Sequence, residues 1–491
     1  MLFLFLLTFV PIVIAKNELY MGFKVYNVKL TSQEQQESLH FLKADVIDYW
    51  IKPNFKYDVT GLAMVPPSHF NWFEERLEEL QVEKEIAIED VYEYLSTKES
   101  SAKQKVPSFT YNDDSNETDG SDDEAENNLT EENNVTDKDN GVNETEETNV
   151  TSEDGNGGGE TKETDVTNED DKTEEINAVT LTESDEDDIT FGFDYYYRYS
   201  TILEYIYKIR DRYEDSQTTS IDVIEFGLTD LNRPLVYLKL SRSDGNENKP
   251  IIVIEGGINL REWITIPSAL KIIEEVLEGN QARYLDNFDW IIIPVVNPDG
   301  YEYSHTDLHL WEKNLSTKSS WGFICPGVNI NRNFNIDWSR ADSSSSACSH
   351  LYAGTEANSE IETQLIQSII HTYKDRISMY ISLQNGGGYI SYPWQYEFAA
   401  SGTFRQNHLL AMEMVAAMHD EYHLDVASVA YGDRASGTSS DYARVNDVMY
   451  AFNIDIVRRG SDGVIVPESE IVDVVEDVWR AVAVAADRLI N

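Results

Sequence analysis

The period of the apolar positions changes several times along the chain of 491 residues. Near the start, Phe23, Val25, Asn27 and Lys29 alternate with Lys24, Tyr26 and Val28, a period of two that predicts a strand. Residues 32–43 are rich in Gln, Glu and Leu and open on Thr31-Ser32, which predicts a helix. A short apolar strand, Leu62-Ala63-Met64-Val65, stops at Pro66-Pro67, and Phe70, Phe73, Leu77 and Leu80 come next at near-helical spacing. This β-α-β-α order predicts a small α/β sandwich over residues 16–98. From 192 to 491, continuous apolar runs (Pro250–Ile254 and Trp290–Pro294) alternate with helical stretches at 269–277, 359–373, 406–421 and 469–489. Strands without polar alternation are buried on both faces, so this region is expected to be a mixed, largely parallel sheet covered by helices on both faces.

The first residues obey neither period. Leu2 to Ile14 is one apolar run ending Val13-Ile14-Ala15, too short to span a bilayer and closed by a small residue. Residues 1–15 therefore read as a secretory signal, although the usual positive charges before the run are missing; a buried N-terminal strand is the alternative. No later run is long enough to cross a membrane, and the expected location is extracellular. There are two cysteines, Cys325 and Cys348. In an oxidising compartment an even pair reads as one disulfide, with two buried thiols as the alternative.

Charge changes the picture most between the two globular regions. The net charge is −51, and no nucleic-acid or anionic-membrane partner is expected because phosphate binding needs clustered Lys and Arg. Residues 111–190 hold 30 Asp or Glu against 3 Lys, and no aromatic residue lies between Tyr111 and Phe191. Such a segment cannot bury enough apolar surface to offset its ordering entropy, so residues 99–191 are expected to be a disordered linker. Five Asn-x-Thr acceptors lie in it, at Asn116, Asn128, Asn134, Asn143 and Asn149, and a sixth sequon begins at Asn314 after Trp311, a chance match if that residue is buried. The plain alternative is a solvated spacer without sugar.

Several blocks in the last region are specific: Gly256-Gly257-Ile258-Asn259-Leu260-Arg261-Glu262-Trp263, Asn297-Pro298-Asp299-Gly300-Tyr301, Gly327 to Phe334, Tyr380 to Leu383, Tyr392-Pro393-Trp394 and Ser436 to Asp441. Together they closely resemble the catalytic domain of the secreted zinc metallocarboxypeptidases of the A/B type. The first region resembles their propeptide, through Tyr20-x-Gly22-x-Lys24-Val25-Tyr26 and Ile88-Glu89-Asp90-Val91. The resemblance implies a zinc carboxypeptidase-like α/β fold, a Cys325–Cys348 disulfide and a zinc held by two His, one Glu and a water.

Position by position, the resemblance also implies a damaged site. Glu262 matches the Glu ligand, but Asn259 and Gln384 stand where the family has its two His. Imidazole and carboxylate suit zinc, whereas a neutral amide is a poor substitute, so zinc is expected to be absent or weakly held. Asn329 stands at the position of the Asp that supports a ligand from behind. Asp455 aligns with the catalytic Glu, one methylene shorter. Glu312 aligns with the Arg that stabilises the oxyanion, which reverses the charge there. Asp433 falls at the mobile Tyr, with Tyr431 an imperfect stand-in. Ser440 aligns with the base of the specificity pocket.

What the resemblance retains is a peptide C-terminus grip: Asn331 and Arg332 match the pair that holds the substrate's C-terminal carboxylate, Arg261 matches another cleft cation, and a guanidinium holds a carboxylate through two parallel hydrogen bonds. Structural hydrogen bonds are the plain alternative for the Asn-Arg pair. Two His pairs at i, i+4, His305/His309 and His419/His423, lack an evident third zinc ligand. The oxygens of Asn259, Glu262, Gln384 and Asp455 could instead take a hard cation such as calcium. The sequence supports three readings: a secreted pseudo-peptidase that binds peptide or protein C-termini, an active zinc carboxypeptidase, and an acidic extracellular-matrix or ion-binding protein acting through its linker.

Overall fold

The computed structural model describes residues 15–39, 42, 45–103, 191–278, 282–457, 459 and 465–490. The expected signal segment up to residue 14, and the acidic tract with its five acceptors Asn116, Asn128, Asn134, Asn143 and Asn149, lie outside the described residues.

The N-terminal region is a four-stranded antiparallel sheet in the order β2-β3-β1-β4, formed by β1 (Lys24–Lys29), β2 (Asp48–Ile51), β3 (Gly61–Val65) and β4 (Glu83–Ile88). Helices Gln33–Leu39, Phe70–Glu79 and Val91–Lys103 accompany it. Phe73 and Leu77 bury the helix Phe70–Glu79 against Tyr26, Val28, Ala63 and Val65. The β-α-β-α expectation is thus one strand short on each edge. β2 opens on Asp48, and the residues of β4 are exposed or half-buried with charges on its edge, so neither gives the apolar alternation that marks a half-buried strand. Charge on an edge strand discourages pairing with other chains.

The C-terminal region is built on an eight-stranded sheet in the order β11-β10-β12-β9-β7-β8-β6-β5. Its strands are β5 (Thr219–Leu228), β6 (Pro234–Arg242), β7 (Ile251–Glu255), β8 (Asp289–Ile293), β9 (Ile377–Asn385), β10 (Tyr389–Tyr392), β11 (His423–Val426) and β12 (Tyr450–Ile456). Neighbours β8-β7-β9-β12 are parallel, while β5, β6 and the β10–β12 pair are antiparallel. Every residue of β7 and β8 is buried. Ile252, Ile254 and Trp290 pack with helices Tyr199–Arg212, Thr265–Leu277, Phe404–Ala417 and Ile471–Ile490. The alternate residues Ile251, Val253 and Ile291 pack with helices Ile361–Thr372 and Ser439–Val445. Two apolar layers on opposite faces are why the strands read as continuous apolar runs.

Cys325 and Cys348 form a disulfide with their Cα atoms 4.8 Å apart. The helix Phe404–Ala417 ends before His419, and His423 opens β11, so these two imidazoles do not share a helix face. Among the described residues, no helix is long and apolar enough to cross a membrane.

Candidate functional site

Parallel strands aligned side by side gather the loops at their C-terminal ends around one crevice, the usual ligand site of an open α/β sheet. Here β7, β9 and β12 do so. The chain leaves β7 through Gly256 and Gly257. A Cβ on Gly256 would stand 2.7 Å from the Thr265 carbonyl oxygen, and Gly257 has φ +64°, so both glycines are needed for the turn. The turn is fixed by the Gly257 N–H donating to Thr265 Oγ1 at 3.0 Å. It carries Asn259 and Glu262 toward Gln384 on β9, which stands in register with Asp455 on β12.

These residues form a direct hydrogen-bond network. Asn259 Nδ2 donates to Gln384 Oε1 at 2.9 Å and to Glu262 Oε1 at 3.2 Å. Glu262 Oε2 accepts from the Asn385 N–H at 3.0 Å, and Gln384 Nε2 donates to Ser382 Oγ at 2.7 Å. Burial raises the Glu262 carboxyl to about 8, with the charge of Asp455 adding and Arg261 opposing. An amide can offer a cation only its carbonyl oxygen. One carboxylate and two amides are a poor donor set for zinc, and no group of three or more His, Cys, Asp or Glu among the described residues could hold a metal ion. Asn329 turns aside, its Nδ2 donating to the His350 carbonyl at 3.2 Å.

The cleft's guanidinium groups already face carboxylates. Arg261 contacts Asp48 of the N-terminal region at 2.7 Å and Glu312 at 2.8 Å, and it donates to the Tyr49 carbonyl at 3.2 Å. Glu312, the charge-reversed position, is thus an ion-pair partner of Arg261. Arg332 pairs with Asp342 at 2.8 Å and donates to the Asp342 carbonyl at 2.7 Å. Lys52 bridges Asp342 at 2.9 Å and Asp433 at 3.1 Å. β2, an edge strand, therefore lies along the cleft and brings its own charges into it. The remaining cavity, about 150 Å³, is lined by Asn259, Glu262, Gln384 and Asp455 together with residues 47–52.

Other expected site residues serve the scaffold. Asn331 Oδ1 accepts the Ser439 N–H at 3.0 Å at the start of the helix Ser439–Val445, the structural alternative for that residue. Ser440 is buried and does not line the cavity. Tyr431 lines it, its hydroxyl 3.3 Å from Ser391 Oγ. His305 and His309 flank the Trp263 ring, with centroids 4.0 and 4.3 Å away. No hydrogen-bond partner among the described residues reaches either ring nitrogen of His309, so the pair packs an aromatic cluster.

The Asn314 sequon lies at a buried residue, the condition under which the triplet is a chance match. Asn314 is 1 % exposed, and its Nδ2 donates to Glu360 at 3.0 Å and Glu362 at 3.3 Å. The nitrogen that would carry sugar is buried and engaged. Asp48, Lys52 and Asp342 were missed from sequence. Asp342 alone left a trace, a lone acid ahead of a serine run.

Comparison with known proteins agrees with this architecture. The zinc carboxypeptidase family pattern matches residues 202–481, and the carboxypeptidase activation peptide pattern matches residues 26–97. Carboxypeptidase B of Helicoverpa zea is 34% identical over 311 residues, 60% of this chain and 71% of the relative. Carboxypeptidase B of Astacus astacus is 33% identical over 274 residues, 54% of this chain and 88% of the relative. Among solved structures, carboxypeptidase A from Helicoverpa armigera has a TM-score of 0.72 at 24% identity, over 95% of this chain and 97% of that one, a likeness of fold. Bovine thrombin-activatable fibrinolysis inhibitor, in complex with tick carboxypeptidase inhibitor, has a TM-score of 0.55 at 29% identity, over 61% of this chain and 98% of that one. The chain belongs to the zinc carboxypeptidase family and carries the family's activation-peptide domain ahead of the carboxypeptidase domain.

Proposed function

We propose that this protein is a secreted, non-catalytic member of its family whose cleft binds peptide without cutting it. One observation carries the reading: the Asn259 amide bridges Glu262 and Gln384 by hydrogen bonds. That network gives each of the three ligand positions a protein partner. Glu312 supports it, because a carboxylate beside the cleft opposes the negative charge that develops on the carbonyl oxygen in peptide hydrolysis. A hydrolytic water would also need a Lewis acid or a placed base. Asp455, in register with Gln384, is the base candidate, and the residues at the two histidine positions beside it are amides.

The peptide-C-terminus form of this reading assigns the grip to Asn331, Arg332 and Arg261. Its cost is visible: the ligand carboxylate would displace Asp342 from Arg332, and Asp48 or Glu312 from Arg261. The second reading is an active zinc carboxypeptidase, favoured by the 34% identity to carboxypeptidase B of Helicoverpa zea. Glycosylation at the five linker sequons belongs with the secreted reading.

The test is the zinc content of the purified full-length protein after dialysis against a mild chelator. Below about 0.1 equivalent, with no release of C-terminal residues from peptide substrates, is the expected result. In that case Asn259→His with Gln384→His should gain zinc. Near one equivalent with turnover overturns the reading.

A further inference from the structure

The turn that leads into Cys325 presents three large apolar side chains to solvent. Trp321 is 61 % exposed, Phe323 94 % and Ile324 73 %. The backbone holds them there. The Gly322 N–H donates to the Ser319 carbonyl at 3.0 Å, and the Ile324 and Cys325 N–H groups both donate to the Trp321 carbonyl, at 2.9 and 2.8 Å. A Cβ on Gly322 would stand 2.4 Å from the Thr317 carbonyl oxygen, so the turn lies close against the chain that enters it. At its base the Gly327 N–H donates to the Ser316 carbonyl at 2.8 Å, and Cys325 is bonded to Cys348. Turning the three side chains inward would break these bonds.

Single exposed apolar residues are ordinary, whereas a contiguous group marks a contact surface. The neighbouring turn adds to this one. Lys318 Nζ lies 4.0 Å from Asp230 in the β5–β6 turn, where Leu228 and Leu231 are also exposed. Charge tells which surface the group can meet. The chain holds 89 Asp and Glu, yet none falls in the 24 residues between Glu312 and Asp337. The acids that approach this loop at Lys318, Asp230 and Glu360, both face its ammonium. The turn is therefore a neutral, apolar point on a chain of net charge −51. A second copy of the chain, or an anionic lipid surface, would oppose that net charge with its own. A zwitterionic lipid surface carries none. Phe323 projects rather than lining a groove, and a bilayer interface admits a projecting side chain without a pocket shaped for it. An indole beside apolar side chains suits that interface, where one part of the ring meets hydrocarbon and its N–H meets water.

We propose that the Trp321–Ile324 turn is a peripheral anchor that inserts Trp321, Phe323 and Ile324 into the interface of a zwitterionic bilayer. Nothing spans the membrane. Three side chains make a weak anchor. One myristoyl chain gives an association constant of about 10⁴ M⁻¹, and the turn should give that or less, so attachment is reversible. The anchor is independent of the chemistry of the cleft and serves a protein that binds peptide there as well as one that cuts it.

The test is co-flotation of the full-length protein with phosphatidylcholine vesicles at about 1 mM lipid. Wild type should float with the vesicles. The triple variant Trp321→Ser, Phe323→Ser, Ile324→Ser should bind at least about tenfold more weakly. If the triple variant fails to fold, Phe323→Ser alone, at the most exposed of the three side chains, should still weaken binding at an unchanged thermal midpoint. As a control, Leu409→Ser with Met412→Ser removes two exposed apolar side chains from the helix Phe404–Ala417 and should leave binding as it was. Insertion is read with Trp321→Phe, which keeps an aromatic anchor. Lipids brominated on their acyl chains should quench part of the wild-type tryptophan emission, and that part should be missing from the variant. Vesicles enriched in phosphatidylserine should bind more weakly at low salt. Wild type that stays behind in the absence of lipid contact, binding that survives the triple variant, or tighter binding to phosphatidylserine overturns the anchor. So does a concentration-dependent dimer in sedimentation velocity that the triple variant abolishes while vesicles bind neither protein, because the turn is then a contact between copies. The zinc content of the protein decides the reading of the cleft and leaves this result untouched.

Discussion

The side-chain nitrogen of Asn259 and the side-chain oxygen of Gln384, 125 residues apart in sequence, are joined by a 2.9 Å hydrogen bond at the centre of the cleft. The same nitrogen serves Glu262 at 3.2 Å. One donor therefore satisfies two acceptors in a site where both neighbours are almost fully buried. Asn259→Ala strips both acceptors at once. Leaving buried acceptors unpaired is expected to cost about 1–3 kcal/mol, read as a lower urea midpoint at unchanged slope. A variant as stable as wild type would mean that the network adds nothing to the fold.

Arg261 is expected to matter more. It is the only cation within ion-pair distance of either Asp48 or Glu312 among the described residues, and all three side chains are at most 14 % exposed. Removing one partner of a buried ion cluster leaves uncompensated charge, so Arg261→Ala should lose about 3–5 kcal/mol in chemical denaturation. Glu312→Gln keeps a hydrogen-bonding oxygen and leaves Arg261 its contact with Asp48, so it should lose less. The reverse order would show that Glu312, and not Arg261, organises the cluster.

Stability should fall on both sides of a weakly acidic optimum. Burial lifts the Glu362 carboxyl to about 8, with the charge of Glu360 adding to it while its own backbone N–H and Asn314 oppose. Burial lifts Asp441 to about 7 against the N–H groups of Tyr396 and Gln395. A carboxyl raised on folding contributes stability that is complete below its unfolded pKa, about 4, and is lost as pH rises through the folded value. His309 has the opposite sign. Burial lowers it to about 3, so its contribution is complete above the ordinary histidine range and is lost as pH falls. Glu362→Gln should flatten the decline between about pH 5 and 8 by a few kcal/mol and spare the acid side. His309→Leu should flatten the acid side alone. Denaturation midpoints across pH separate the two.

How much of this was legible depended on the range of the interaction. The apolar runs at Ile251 and Trp290 announced their strands because both faces of each are buried, so no polar residue interrupts them. Asn259, Glu262 and Gln384 could be named because their family blocks are intact, and the structure brings all three together. β2 and β4 were missed because they are short or charged edge strands. The Lys52 ion pairs were missed because the partners lie 290 and 381 positions along the chain, at Asp342 and Asp433, and no local pattern encodes such a pairing. Asn331 and Arg332 could be read for a ligand's carboxylate or for structural hydrogen bonds; both line the cleft, one accepting the Ser439 N–H and the other pairing with Asp342. Sequence shows a residue's type and not which partner has already claimed it.

Asn314 tests that last point. Its Asn-Leu-Ser triplet satisfies the local rule for glycosylation. Yet its Nδ2 donates to both Glu360 and Glu362, and its Oδ1 accepts the N–H groups of Ser316 at 3.2 Å and Val328 at 2.8 Å. The side chain therefore joins the loop after Trp311 to the segment that enters the helix Ile361–Thr372. Glycopeptide mapping of the purified protein should find Asn314 bare, since a glycan on Nδ2 would replace one of the two hydrogens that Glu360 and Glu362 accept. Asn314→Asp sharpens the test, because it removes the Nδ2 donor and buries a further carboxyl against Glu360 and Glu362. It should cost at least about 3 kcal/mol or prevent folding, whereas Ser316→Ala, which destroys the sequon and leaves Asn314 in place, should cost about 1 kcal/mol or less. A glycan at Asn314, or an Asn314→Asp protein as stable as wild type, would show that this side chain is free of Glu360 and Glu362 in the folded molecule.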